Sequence, residues 1–224
     1  MKIINPSVEI IERNMDYPTL LTFIESIGRT CYKSTSELTK ESGEKFIARL
    51  IKNGHESVLE HGHFTIRFIC DRGVSHELVR HRNTAYSQES TRYCNYSRDQ
   101  FGNEITVIKP SFFKEDDYKY SIWKISMEVS EQHYFMLLKN GAKPEEARTV
   151  LPNSLKTEIV FTMNIRELRT FLKLRTSPAA HPQMRELCID LLKQLHDDYP
   201  IFFNDIFNSI IEKEGDKNVI EEGN

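Results

Sequence analysis

The chain has 224 residues, 39% hydrophobic and 28% charged, with a formal net charge of −3. That composition fits a globular chain with an ordinary core, and its acidic balance excludes a general nucleic-acid binder, which needs a basic field. No stretch approaches 18 apolar residues, the N-terminal residues lack a secretory pattern, and Cys31, Cys70, Cys94 and Cys188 form no C-x-x-C pair, so a cytoplasmic location with reduced thiols is expected.

Residues 2–10 read as a short strand. Residues 17–32 space Leu20, Phe23, Ile24 and Ile27 along one helical face, and 40–53 read as a second helix stopping at Asn53-Gly54. "HGHFTIRFIC", His61 to Cys70, alternates: Phe64, Ile66, Phe68 and Cys70 point one way, His61, His63, Thr65 and Arg67 the other. That pattern predicts a strand with one buried face. Asp71 is placed to cap a short helix over 72–82, with Val74 and Leu78 inward.

Residues 104–109 predict a strand, and 117–139 a long amphipathic helix closed by Asn140-Gly141. Pro144 opens a short helix. Residues 156–164 predict a strand feeding a helix from Ile165 to about Leu174, and 182–211 a last helical region. The charged tail from Glu212 is expected to be disordered. Strands and helices without regular alternation point to an α+β fold: an antiparallel sheet core with flanking helices and a helical portion, in a single domain over residues 1–211.

The unusual stretch is "RHRNTAYSQESTRY", Arg80 to Tyr93. No lysine occurs between Lys52 and Lys109, while Arg67, Arg72, Arg80, Arg82, Arg92 and Arg98 all fall there. A guanidinium is a flat fork that grips phosphate or carboxylate with two bonds; lysine is a mobile point charge. An arginine-only block points to planar, anionic ligands. A helix C-terminus that favours cations accounts equally for Arg80, His81 and Arg82. It leaves Ser87, Gln88, Ser90, Thr91 and Arg92 unexplained, and such a loop can offer hydroxyls, backbone N–H groups and a second arginine to one anion.

Arg80-His81-Arg82, seven residues, then Ser90 matches the R-H-R-x7-S signature and resembles the flavin-dependent thymidylate synthases. "GHESVLEH" (54–61), "TRY" (91–93), "ARTVLP" (147–152) and "NIRELRTFLKLR" (164–175) resemble the same family in the same order. The resemblance implies conversion of dUMP to dTMP, with methylenetetrahydrofolate as carbon donor, FAD as hydride carrier and NADPH as reductant. It also implies a homotetramer with active sites where subunits meet.

By position, the resemblance implies flavin contacts at Ser57, Arg80, His81, Arg82 and Gln88. Asn164, Ile165, Arg166 and Thr170 join them, although Thr170 stands where some members have asparagine. It implies nucleotide contacts at Glu77, Leu78, Val79 and Arg80, then at Gln88, Glu89, Ser90, Thr91 and Arg92, and at Arg148. Arg175 matches the arginine placed beside the uracil, and His55 a histidine near flavin and folate. Ser90 is expected to be a hydrogen-bonding group rather than a nucleophile, and Cys94 and Cys188 small buried residues.

Two other readings stand beside this one. His55, His61, His63, His76 and His81 fall within 27 residues, and a metal-dependent nucleotide hydrolase would use such a set, although no H-E-x-x-H or H-x-x-E-H helix occurs. A non-catalytic nucleotide- or RNA-binding module is the third reading, disfavoured by the acidic balance. Flavin colour, metal content, or the lack of both separates the three.

Overall fold

The computed structural model describes residues 1–13, 15–31, 33–98 and 102–221, with side chains up to residue 210. The chain forms two compact units. One comprises Met1–Val8, Arg67–Arg82 and Tyr86–Val160; the other comprises Glu9–Ile66, Asn83–Ala85 and Phe161–Asn224. All the boundaries but Arg82/Asn83 fall inside strands, so no linker marks them in the sequence.

The expected strand 2–10 is two strands, β1 (Lys2–Ile4) and β2 (Ser7–Glu12). Pro6, which has no N–H to donate, stands between them. The strand expected at 104–109 is β5 (Thr106–Ile108), which pairs in parallel with β1, Ile3 opposite Val107. The other sheet has the order β2-β3-β6-β4, from β3 (His63–Asp71), β4 (Thr84–Gln88) and β6 (Lys156–Asn164). β3 and β6 run in opposite directions: Ile165 N–H donates to the Gly62 carbonyl, Thr65 and Thr162 hydroxyls meet at 2.9 Å, and Arg72 N–H donates to the Leu155 carbonyl. Alternation holds along both strands, with Phe64, Ile66, Phe68 and Cys70 buried on β3 and Thr157, Ile159, Phe161 and Met163 on β6.

In the first unit, α3 (Arg72–Leu78) is capped by Asp71, whose carboxylate accepts from Val74 N–H at 2.8 Å. α4 (Tyr118–Lys139) and the short α5 (Pro144–Ala147) pack through Met127, Tyr134 and Ala147 onto Tyr96, Ile105, Val107 and Leu155. Asp117 caps α4 and Pro144 opens α5.

In the second unit, α1 (Tyr17–Thr30) packs on α2 (Lys40–Lys52) through Leu20, Leu21, Ile24, Phe46 and Ile47. The expected end of α1 at Tyr32 lies outside the described residues. A 3₁₀ turn over Glu56–His61 follows, so His61 does not share a strand face with His63. Gly62 closes that turn; a Cβ there would lie 2.6 Å from Ile165 Cδ1 and 3.0 Å from Leu20 Cδ1, so a larger residue would require those two side-chain ends to move. α6 (Ile165–Arg175), α7 (Pro182–Asp198) and α8 (Pro200–Glu221) complete the unit. The last two replace a single helical region because Tyr199, at φ −136° and ψ 54°, leaves the helical conformation before Pro200. The α8 backbone continues into the segment expected to be a disordered tail, whose last residues, 222–224, lie outside the described residues. Among the described residues, no helix is long and apolar enough to cross a membrane.

Candidate active site

The arginine-rich stretch takes three forms in succession. α3 ends at Leu78, earlier than the expected 82, and Val79, Arg80 and His81 close it with N–H bonds to the Ser75, Glu77 and Leu78 carbonyls. Arg80 and Arg82 are exposed and His81 half-buried. Tyr86 fixes this turn: its hydroxyl lies 2.8 Å from the Leu78 carbonyl and 2.9 Å from that of His81, sharing one proton between them. Asn83 then reverses the chain at φ +58°, a region asparagine tolerates. The side chain of Leu78 is fully buried. Glu77 is half-buried and Val79 exposed.

β4 and the loop after it build a polar cluster within the first unit. The Gln88 amide donates to the Ser75 hydroxyl at 2.9 Å and the Thr157 hydroxyl at 3.1 Å, tying β4 to α3 and β6. Glu89 pairs with Lys156 at 2.8 Å and accepts from the Tyr96 hydroxyl. The next residues close a tight turn: Tyr93 and Cys94 N–H donate to the Ser90 carbonyl, and the Ser90 hydroxyl accepts from Arg92 N–H at 3.3 Å. Thr91 is buried, and Arg148, which follows α5, donates to its hydroxyl at 3.3 Å. Arg92 is exposed beside it, with its guanidinium 5.5 Å from the Tyr93 ring centre and 3.8 Å from Glu145. The Arg148 guanidinium and the Arg92 backbone N–H therefore address one hydroxyl-bearing turn, with the Arg92 guanidinium turned to Glu145 beside it; donors of this kind suit a phosphate.

A second cluster lies within the second unit. Asn164 caps α6, accepting from Glu167 N–H at 2.8 Å. Asn164, Arg166 and Thr170 line one polar cleft of ≈630 Å³ together with Glu60, Asn83 and Glu167. Arg166 lies 2.6 Å from Glu60, and the Thr170 hydroxyl donates to the Arg166 carbonyl. Burial raises the Glu167 carboxyl. Ile165 does not line this cleft: its side chain is core and its N–H is bonded to the Gly62 carbonyl. His55 and Ser57 are exposed, at and just inside the 3₁₀ turn, and Arg175 is half-buried in the last turn of α6.

Beneath this cluster sits a residue that carried no sequence signal. Arg169 is fully buried; it holds Asp205 with two bonds of 2.7 and 2.8 Å, reaches Glu56 at 3.3 Å and donates to the Phe202 carbonyl. It thereby joins α6, the 3₁₀ turn bearing Ser57, and α8. Among the described residues, no three His, Cys, Asp or Glu side chains are grouped to hold a metal. Burial pushes the Cys94 thiol up, away from what a nucleophile needs, and does the same to Cys70.

The family model described as "Thymidylate synthase complementing protein" matches residues 15–201. The flavin-dependent thymidylate synthase of Pyrococcus furiosus is 34% identical over 189 residues, covering 84% of this chain and 77% of that one. That of Geobacter sulfurreducens is 33% identical over 185 residues, covering 80% and 78%. The chain belongs to this family. A crystal structure of a UMP/dUMP methylase, PolB from Streptomyces cacaoi bound with 5-Br dUMP, superposes with a TM-score of 0.71 at 21% identity, covering 91% of this chain and 96% of that one. That likeness bears out the α+β fold expected from the sequence.

The residues present fit a flavin. The cleft of the second unit offers the amides of Asn83 and Asn164, the Arg166 guanidinium and the Thr170 hydroxyl beside two carboxylates, on a capped helix start; within the first unit, Arg80 and Arg82 are exposed on a turn that Tyr86 bonds. Such donors suit the carbonyl-rich ring edge and the phosphates of FAD.

Proposed function

We propose that this chain is a flavin-dependent thymidylate synthase that methylates dUMP reductively to dTMP. FAD, when bound, supplies the hydride chemistry; methylenetetrahydrofolate donates the carbon and NADPH is the reductant. The enzyme works as a homotetramer in the cytoplasm. The observation that carries this reading is the family match over residues 15–201, which includes the turn where Arg92 and Arg148 flank Ser90 and Thr91.

In this reading Arg92, Arg148 and the Ser90 hydroxyl hold the dUMP phosphate, with Glu89 and Gln88 shaping the loop. Arg80, His81 and Arg82 bind FAD with Ser57, Asn164, Arg166 and Thr170, and Arg80 also approaches dUMP. Arg175 stabilises negative charge on the uracil ring, and His55 stands near flavin and folate. Preorganised guanidiniums stabilise developing charge without reorganisation. No enzyme nucleophile is required, in line with raised rather than lowered cysteine thiols.

The test is the purified protein's spectrum. Absorbance near ~450 nm, a property of bound flavin, which shifts on adding dUMP, is expected. Protein that stays colourless after incubation with FAD, with no dUMP effect, overturns the reading.

A further inference from the structure

α4 is apolar on two opposite faces. Its inner face packs Trp123, Met127, Tyr134 and Leu138 into the core of the first unit. At 100° per residue, Tyr118, Ile122, Ile125, Val129 and Met136 all lie within about 40° of the opposite side. These five are 41% to 78% exposed. With Leu137, the helix carries six of the twelve exposed large hydrophobic residues among the described residues. A surface helix ordinarily shows one apolar stripe; a helix apolar on both faces is covered on both.

We propose that this outer stripe is a self-association surface, packed in the assembled protein against the same stripe of a second copy of this chain. The inference names a surface for the assembly proposed above but rests on α4 alone. The stripe advances by four, three and four residues from Tyr118 to Val129, the spacing of a seam between two long helices crossing at a shallow angle. Gln132 occupies the next seam position before Met136, and a single polar seam residue fixes register.

Area and charge favour a second copy. The exposed parts of these side chains amount to roughly 500 Å² per copy, in the upper part of the range for a monomer's largest patch, which is often functional, and a pair covers about the 1,000 Å² a specific interface needs. A symmetric contact needs only one such patch, since each copy supplies the complement of the other. The rim carries both signs, Lys119, Lys139 and Glu128, with Ser121, Ser126 and His133. A helix lying on an anionic membrane instead carries many lysines and arginines on its polar edge.

The experiment compares the full chain with Ile125→Glu/Val129→Glu by sedimentation equilibrium, measuring flavin content separately. The parent is expected to be an oligomer and the variant to have half its mass. A monomeric parent, or a variant of unchanged mass, overturns the proposal. Flavin content is read independently, so a failure here leaves the catalytic reading intact, and a colourless oligomer does the reverse. Should the variant lose its helical circular dichroism, Ile125→Cys in a Cys31→Ser background is treated with a short bis-maleimide. A covalent dimer beyond that of Cys31→Ser alone supports the proposal, and its absence overturns it. A parent that is monomeric and pellets with phosphatidylcholine–phosphatidylserine vesicles also overturns it, in favour of a lipid surface.

Discussion

Replacing Arg169 by methionine keeps the length and apolar stem of the side chain and removes its charge. The parent guanidinium is fully buried and makes two bonds to Asp205, one to Glu56 and one to the Phe202 carbonyl. Breaking a buried pair from one side costs about 3–5 kcal/mol, because the partner charge is left unpaired. The Asp205 side chain is 45% exposed and that of Glu56 18%, so water recovers part of that loss. We therefore expect Arg169→Met to lose about 2–3 kcal/mol, which for a chain of this size is a fall of roughly 5–10 °C in Tm. The acid limb should change as well. Burial works to raise the Asp205 carboxyl, but the hydrogen bond and charge of Arg169, with Lys173, outweigh it and hold the carboxyl below its ordinary value of 3.8. A carboxyl lowered in the folded state contributes stability above its unfolded value and loses it as pH falls through the folded value. The parent should thus lose this contribution below about pH 4, while the variant has none to lose. Urea denaturation followed by circular dichroism at pH 7 and at acid pH measures both. A loss under about 1 kcal/mol at pH 7 would refute the reasoning, since it falls within the range of an ordinary surface change.

Arg92→Lys keeps a charge but loses the fork beside Ser90, and dUMP affinity measured by calorimetry should fall by roughly 1–3 kcal/mol while flavin content survives; unchanged affinity removes Arg92 from the phosphate site. Tyr86→Phe deletes the hydroxyl shared by the Leu78 and His81 carbonyls, and should cost about 1–2 kcal/mol in denaturation and weaken FAD binding in a fluorescence titration. FAD affinity equal to the parent's would show that the turn holds its arginines without it. Arg175→Ala should fold and bind FAD, and NADPH oxidation by the flavin should continue, yet dTMP formation should drop by ~10²–10³. More than about a third of the parent rate corresponds to under ~1 kcal/mol of barrier and rules out a role at the uracil.

The two strands that carry the larger sheet were legible because their alternation is strict, and Asp71 announced its helix because an acid before an apolar-periodic run is a capping signal. β4 was not legible: in Thr84–Gln88 only Ala85 and Tyr86 are apolar, and hydrogen bonds to its neighbours rather than a buried face hold it. Asn164, Arg166 and Thr170 came from family resemblance, and they line one cleft because a capped helix start places them there. Glu60, which pairs with Arg166, gave no signal, since its partner is 106 residues away. Arg169 looked like any charged helix position. Its burial depends on α8, where Asp205 and Phe202 meet it, and no local pattern encodes that meeting. The outer stripe of α4 was not legible: the sequence reads as an amphipathic helix with one apolar face, whereas the helix is apolar on both.

The most direct measurement is product formation. Purified protein is incubated anaerobically with dUMP, methylenetetrahydrofolate and NADPH after loading with FAD, and the nucleotides are separated and identified by mass. The account predicts dTMP, formed only when all four are present and unaffected by a metal chelator. dTMP absent from the complete mixture, in protein shown to be folded and loaded with flavin, would contradict it.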